Sequence, residues 1–195
     1  MHFISNKIIR VFSPDENLDK KFSKKITRIG PGAFMNASIK TFDHTFYEGG
    51  DISKLHRIYR FSFAYMQNLE KIDVSDSRIE YIPDYCFFHS SKLKEVYLPT
   101  TVKTIGRYAF SFTNLRKINL KNLINLIYIG DFAFYNTKMR QLVIPTSVEY
   151  IGSHFYSTKP YKVTMDVQDN DDNDDNEDDE SDEEEDDENN DDENN

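Results

Sequence analysis

Ile105-Gly106-Arg107-Tyr108-Ala109-Phe110 and Ile129-Gly130-Asp131-Phe132-Ala133-Phe134 are one block written twice, 24 residues apart. The same outline occurs three more times, as Ile29-Gly30-Pro31-Gly32-Ala33-Phe34, Ile58-Tyr59-Arg60-Phe61-Ser62-Phe63 and Ile82-Pro83-Asp84-Tyr85-Cys86-Phe87. A degenerate copy closes the series at Ile151-Gly152-Ser153-His154-Phe155-Tyr156. Successive isoleucines stand 29, 24, 23, 24 and 22 residues apart. Self-similarity at a near-constant period in this range marks a solenoid, whose coils each contact only their neighbours.

The residues around each block complete the repeat. An apolar residue precedes every isoleucine by three positions: Ile26, Leu55, Ile79, Val102, Leu126 and Val148. Between blocks runs a second apolar cluster, Leu69-x-x-Ile72-x-Val74, Leu93-x-x-Val96-x-Leu98, Leu115-x-x-Ile118-x-Leu120 and Met139-x-x-Leu142-x-Ile144. Its alternation has the period of a half-buried strand. Pro99 and Pro145 end two of these strands, because proline has no amide hydrogen to carry the ladder on. Stacking would then pile Phe34, Phe63, Phe87, Phe110 and Phe134 into a spine. The small residues just before them, Ala33, Ser62, Cys86, Ala109 and Ala133, would let coils approach closely. Gly30, Gly106, Gly130 and Gly152 suit a turn of positive φ. The long first step places an insertion of about six residues near Asp43–Asp51 by comparison with the repeat period.

The pattern L-x-x-[IV]-x-[LI]-P-x-x-[VL]-x-x-I-G-x-x-A-F, clearest from Leu93 to Phe110 and from Met139 to Ile151, resembles the leucine-rich repeats of the BspA-like class. The resemblance covers residues 26–156 and implies an α/β repeat solenoid. In that picture a parallel β-sheet lines the concave face and the returns are short helical or irregular segments. The domain reading is a capping segment over 1–25, a solenoid of about six coils over 26–165 and a tail over 166–195.

Charge separates body from tail. Twenty of the chain's 34 acidic residues lie between Asp166 and Asn195, and all 24 Lys+Arg precede them, so the body carries +10 and the tail −20. Composition of this kind cannot bury enough surface to offset its ordering entropy, which predicts a disordered acidic tail. Such a tail is either a solubilising brush or a capture device for basic surface, in its own body or in a partner. Ser181, in Ser-Asp-Glu-Glu, is a phosphorylation candidate for acidophilic kinases.

No catalytic constellation is legible. The five histidines fall at unrelated repeat positions without metal-ligand spacing, and Cys86, the single cysteine, fits a buried slot. The reading is non-enzymatic, with no cofactor and no metal. The N-terminus lacks the apolar core of a signal peptide, and no stretch reaches the ~20 apolar residues of a transmembrane span. An intracellular, cytoplasmic location is therefore expected, with nucleus or unconventional surface exposure left open.

Outward positions on the strands offer a binding stripe: Lys71 and Asp73, Glu95 and Tyr97, Lys117 and Asn119, Gln141 and Val143. Any one of them is also an ordinary solvated strand residue. Tyr97 is the natural centre, since tyrosine supplies contact area at small entropic cost. A basic cluster, Lys20, Lys21, Lys24, Lys25 and Arg28, faces competition from the acidic tail, which disfavours nucleic acid as its partner. Three functions follow: a module binding a protein ligand through the concave face, an acidic-tail chaperone or decoy for basic proteins such as histones, and a surface antigen or adhesin as the resemblance implies.

Overall fold

A computed structural model describes residues 2–4, 7–10, 26–156 and 162–166. The acidic tail beyond Asp166 with its expected disorder, Ser181, and Lys20, Lys21, Lys24 and Lys25 lie outside the described residues. An antiparallel pair, β1 (His2–Ile4) and β2 (Lys7–Arg10), leads in parallel into β3 (Arg28–Ile29). The coils then contribute β4 (Thr41–Phe42) and β5 (Arg57–Ile58), then β6 (Lys71–Asp73) and β7 (Tyr81–Ile82). Next come β8 (Glu95–Tyr97) and β9 (Thr104–Ile105), then β10 (Lys117–Ile118) and β11 (Tyr128–Ile129). The last are β12 (Gln141–Ile144), β13 (Tyr150–Ile151) and β14 (Lys162–Met165), of which β14 runs parallel to β12.

These strands build two walls. The first is the parallel sheet β4-β6-β8-β10, made by the alternating clusters, with Phe42, Ile72, Val96 and Ile118 in register. The second is made by the block isoleucines: Ile82, Ile105, Ile129 and Ile151 align across β7-β9-β11-β13. Ile8, Ile29 and Ile58 align across β2-β3-β5. The isoleucine spacing reveals the repeat but not this second sheet.

The expected helical returns are corrected. Among the described residues there is no α-helix, and the helical turns are 3-10 turns at His44–Phe46, Glu48–Gly50 and Leu120–Asn122. The fold is a parallel-strand β-solenoid rather than an α/β one. Its returns form a third wall of turns with left-handed backbone at two register positions. One position holds Gly32, Phe61, Tyr85, Tyr108, Phe132 and His154, and the other Asn36, Tyr65, His89, Phe112 and Asn136, all with φ between 49 and 63°. An α-helix cannot pass through such residues, each of which costs about 1–2 kcal/mol outside glycine. Hydrogen bonding offsets that cost. Tyr85, Phe87 and His89 donate across to the carbonyls of Arg107, Ala109 and Ser111 at 2.9, 2.8 and 3.0 Å. Between them Cys86, Phe88 and Ser90 donate back three residues within their own coil, to Pro83, Tyr85 and Phe87.

Inside, Phe34, Phe63, Phe87, Phe110 and Phe134 are buried and stack in series, with centroids 5.0, 5.3, 5.0 and 5.3 Å apart. The small residues before them are all fully buried. The insertion supplies two of the 3-10 turns and returns Tyr47 and Ile52 to the core.

The repeat glycines act by closeness rather than by φ. A Cβ on Gly106 would sit 2.5 Å from the Asp84 nitrogen, on Gly130 2.7 Å from that of Arg107, and on Gly152 2.3 Å from that of Asp131. Their amides donate to Ile82, Ile105 and Ile129 of the preceding coil at 2.8, 2.8 and 2.7 Å. Pro83 occupies the same slot after β7 and has no amide hydrogen to donate to the preceding coil. Accordingly β5 and β7 are not paired, and the second wall parts there.

Candidate functional site

The outward face of the first wall is set by strand alternation: Ile72 and Val96 point into the core, so their neighbours point out. Parallel pairing places Thr41, Lys71, Glu95 and Lys117 in one row and sets Asp73 beside Tyr97. Tyr97 lies between two lysines of the adjoining coils, with the Lys71 Nζ 5.2 Å and the Lys117 Nζ 5.3 Å from its ring centroid. Its hydroxyl donates to Glu95 Oε2 at 3.1 Å, and Lys71 also pairs with Asp73 at 3.5 Å. Hydrogen bonding to the Tyr97 phenol raises the Lys117 amine above its ordinary value. The result is an amphipathic ring held in a fixed orientation by charges from three coils.

Asn119 does a different job. Its amide accepts from the Leu98 N–H at 2.9 Å and donates to the Leu98 carbonyl at 2.8 Å, so it stands in for a strand residue where β10 ends. Gln141 and Val143 are separated from the rest of the expected stripe. The first wall stops at β10; β12 is not paired to it and forms a separate two-stranded sheet with β14, the strand of the next coil. A cleft of about 780 Å³ opens between them, lined by Arg116, Lys117, Lys121, Lys138 and Arg140 around Ile118, Met139 and Leu142. The structure thus assembles Lys71, Asp73, Glu95, Tyr97 and Lys117 on one face, turns the Asn119 side chain onto the Leu98 backbone, and leaves Gln141 and Val143 across the cleft.

Two features of the surface escape a reading of the sequence. Thr41 heads the outward row, but the 29-residue step hides its register. The third wall carries a half-exposed aromatic ladder, in which Phe61, Tyr85, Tyr108, Phe132 and His154 stack at 5.0, 5.1, 4.7 and 5.2 Å. Beside it Tyr65, His89 and Phe112 stack at 5.7 and 4.6 Å. An aromatic or histidine three residues after each isoleucine from Ile58 onward is the available signal.

Among the described residues no three His, Cys, Asp or Glu side chains gather to hold a metal, and no helix is long and apolar enough to cross a membrane. Burial pushes the Cys86 thiol well up, which keeps it protonated and removes its nucleophilic form.

A family model described as BspA type leucine-rich repeat region matches the chain in six copies over residues 27–162. No curated protein matches it.

Proposed function

The chain belongs to the BspA-type leucine-rich repeat family, and from that membership we propose a non-enzymatic scaffold that binds a protein ligand through the outward face of β4, β6, β8 and β10. The observation that carries the reading is Tyr97, its ring flanked by Lys71 and Lys117 and its hydroxyl held by Glu95. A rigid tyrosine surrounded by both signs of charge suits an interface anchor: the ring supplies area, and the rim of charge supplies orientation. Repeat arrays present such faces as extended surfaces, with the coils fixing the spacing of contacts. In this reading residues 1–25 cap the stack, 26–165 form the scaffold and 166–195 are an acidic appendage.

Affinity capture from the source cells tests it, comparing the full chain with Tyr97→Ala/Lys117→Ala and with Lys54→Ala as a distant control. The scaffold reading expects a ligand retained by wild type and the control but lost by the double variant, with melting curves showing all three folded at the assay temperature. A ligand held equally by all three sinks the reading. Basic proteins recovered only at low salt, and equally by the double variant, would instead favour capture by the acidic tail.

A further inference from the structure

The cleft in the first wall has an electrostatic character that the scaffold reading does not use. In the regular coils one carbonyl receives two amides of the next coil. Lys94 accepts from Arg116 and Lys117 at 2.9 and 3.1 Å, as Glu70 accepts from Lys94 and Glu95 at 2.9 and 3.2 Å. At the following step the only backbone bond among the described residues is Lys138 to Leu115, at 2.9 Å. The β10 and β12 edges therefore part, and Arg116, Lys117, Lys121, Lys138 and Arg140 line the opening with no acidic residue among them. All five are exposed. Like charges brought together in this way repel, and they gain most from an anionic chain.

One carboxylate already reaches this cluster. Asp166 continues β14 by donating its amide to the Ile144 carbonyl at 2.8 Å, and its side chain pairs with Lys121 at 3.3 Å. Asp166 is also the first residue of the acidic run: nineteen more acidic residues and no lysine or arginine follow it up to Asn195. The run is thus tethered at the rim of the cleft, where an intramolecular contact enjoys an effective concentration on the order of millimolar. An extended chain gains about 3.3–3.6 Å per residue, so the few residues from Asp166 to Asp171 suffice to enter the opening.

We propose that this cleft is the docking site for the chain's own acidic segment, residues 167–195, whose carboxylates pair in cis with Lys117, Lys138, Arg116 and Arg140. Lys117 also flanks Tyr97, so the docked segment borders the scaffold face and competes with any acidic portion of a ligand there. Docking in cis goes beyond the scaffold reading and does not depend on it.

Zero-length carbodiimide cross-linking of the full chain, read by peptide mass spectrometry, tests the proposal, with the Lys121–Asp166 pair as a positive control. At low salt the expected cross-links join residues 169–195 to Lys117 and Lys138, several-fold above those to Lys54, Lys92 and Lys103. About 0.5 M salt should reduce them several-fold, as screening requires. In Lys138→Glu/Arg140→Glu, checked by its melting curve to be folded, the Lys117 cross-link should fall likewise. Cross-links spread evenly over the exposed lysines would overturn the proposal, as would a Lys121–Asp166 cross-link with no other from the acidic segment. Mixed light–heavy pairs from an isotope-labelled mixture would overturn docking in cis.

Discussion

Replacing Phe110 by alanine removes the middle of the aromatic spine. The Phe110 side chain is fully buried, and its ring lies 5.0 Å from Phe87 and 5.3 Å from Phe134, within 7° of parallel to both. Truncating a buried phenylalanine costs about 3–5 kcal/mol, because the lost transfer free energy is joined by a cavity the neighbours fill only in part. Here collapse is limited by construction, since the backbone on the third wall is bonded to the coil behind and the coil ahead at 2.8 Å on each side. The two lost stacks add about 0.5–1.5 kcal/mol each beyond area. The variant therefore belongs at the upper end, about 4–5 kcal/mol. At about 2–4 °C per kcal/mol for a body of this size, far-UV circular dichroism should show Tm lowered by about 8–20 °C. The transition should also broaden, because a weakened central coil uncouples the two ends of the stack. Phe110→Leu, which keeps most of the volume, should lose less than half as much. A Tm drop under about 3 °C for Phe110→Ala would refute the spine as the main source of cohesion.

Other perturbations probe other joints. Gly130→Ala should cost about 1–3 kcal/mol by overpacking, since its Cβ would meet Arg107 backbone at 2.7 Å; urea unfolding reads the loss, and an unchanged midpoint would contradict it. The Tyr81 amide, beside the proline-made gap, should exchange with deuterium faster than those of Thr104, Tyr128 and Tyr150, which donate to the preceding coil at 3.4, 3.3 and 3.1 Å. Cys86 should resist a thiol reagent in the folded chain and react at once in denaturant. Its raised pKa also has a stability consequence: the contribution is complete below the ordinary thiol value of 9.0 and is lost as pH climbs from there toward the folded value. Alkaline melts should thus fall faster than those of Cys86→Ala.

What the sequence discloses, and what it hides, follows from which forces leave a periodic trace. Burial does, so the phenylalanine spine, the small-residue slot and the alternating strands of the first wall are all readable from spacing. The second wall is not, because its strands are two residues long and show no alternation; Ile105 and Ile129 look the same in a turn as in a ladder. Left-handed backbone is misplaced for a similar reason. Gly106 and Gly130 announce freedom of φ, yet they are there to let backbones touch, while Tyr108 and Phe132 hold positive φ against their own preference because coil-to-coil bonds impose it. At the candidate site, alternation places Lys71, Glu95, Tyr97 and Lys117 on one face. It gives no warning that the ladder breaks between β10 and β12, which separates Gln141 and Val143 from the rest.

The face itself is best tested by a photo-reactive residue placed on each wall in turn. Benzoylphenylalanine at Thr41, which heads the outward row outside the Tyr97 cluster, is compared with the same group at Lys103, exposed at the second wall, in the full chain within source-cell lysate. Binding through the outward face predicts a discrete cross-linked adduct from position 41, absent from position 103 and abolished by adding Lys117→Ala. An adduct formed equally from both positions, or from position 103 alone, would contradict it.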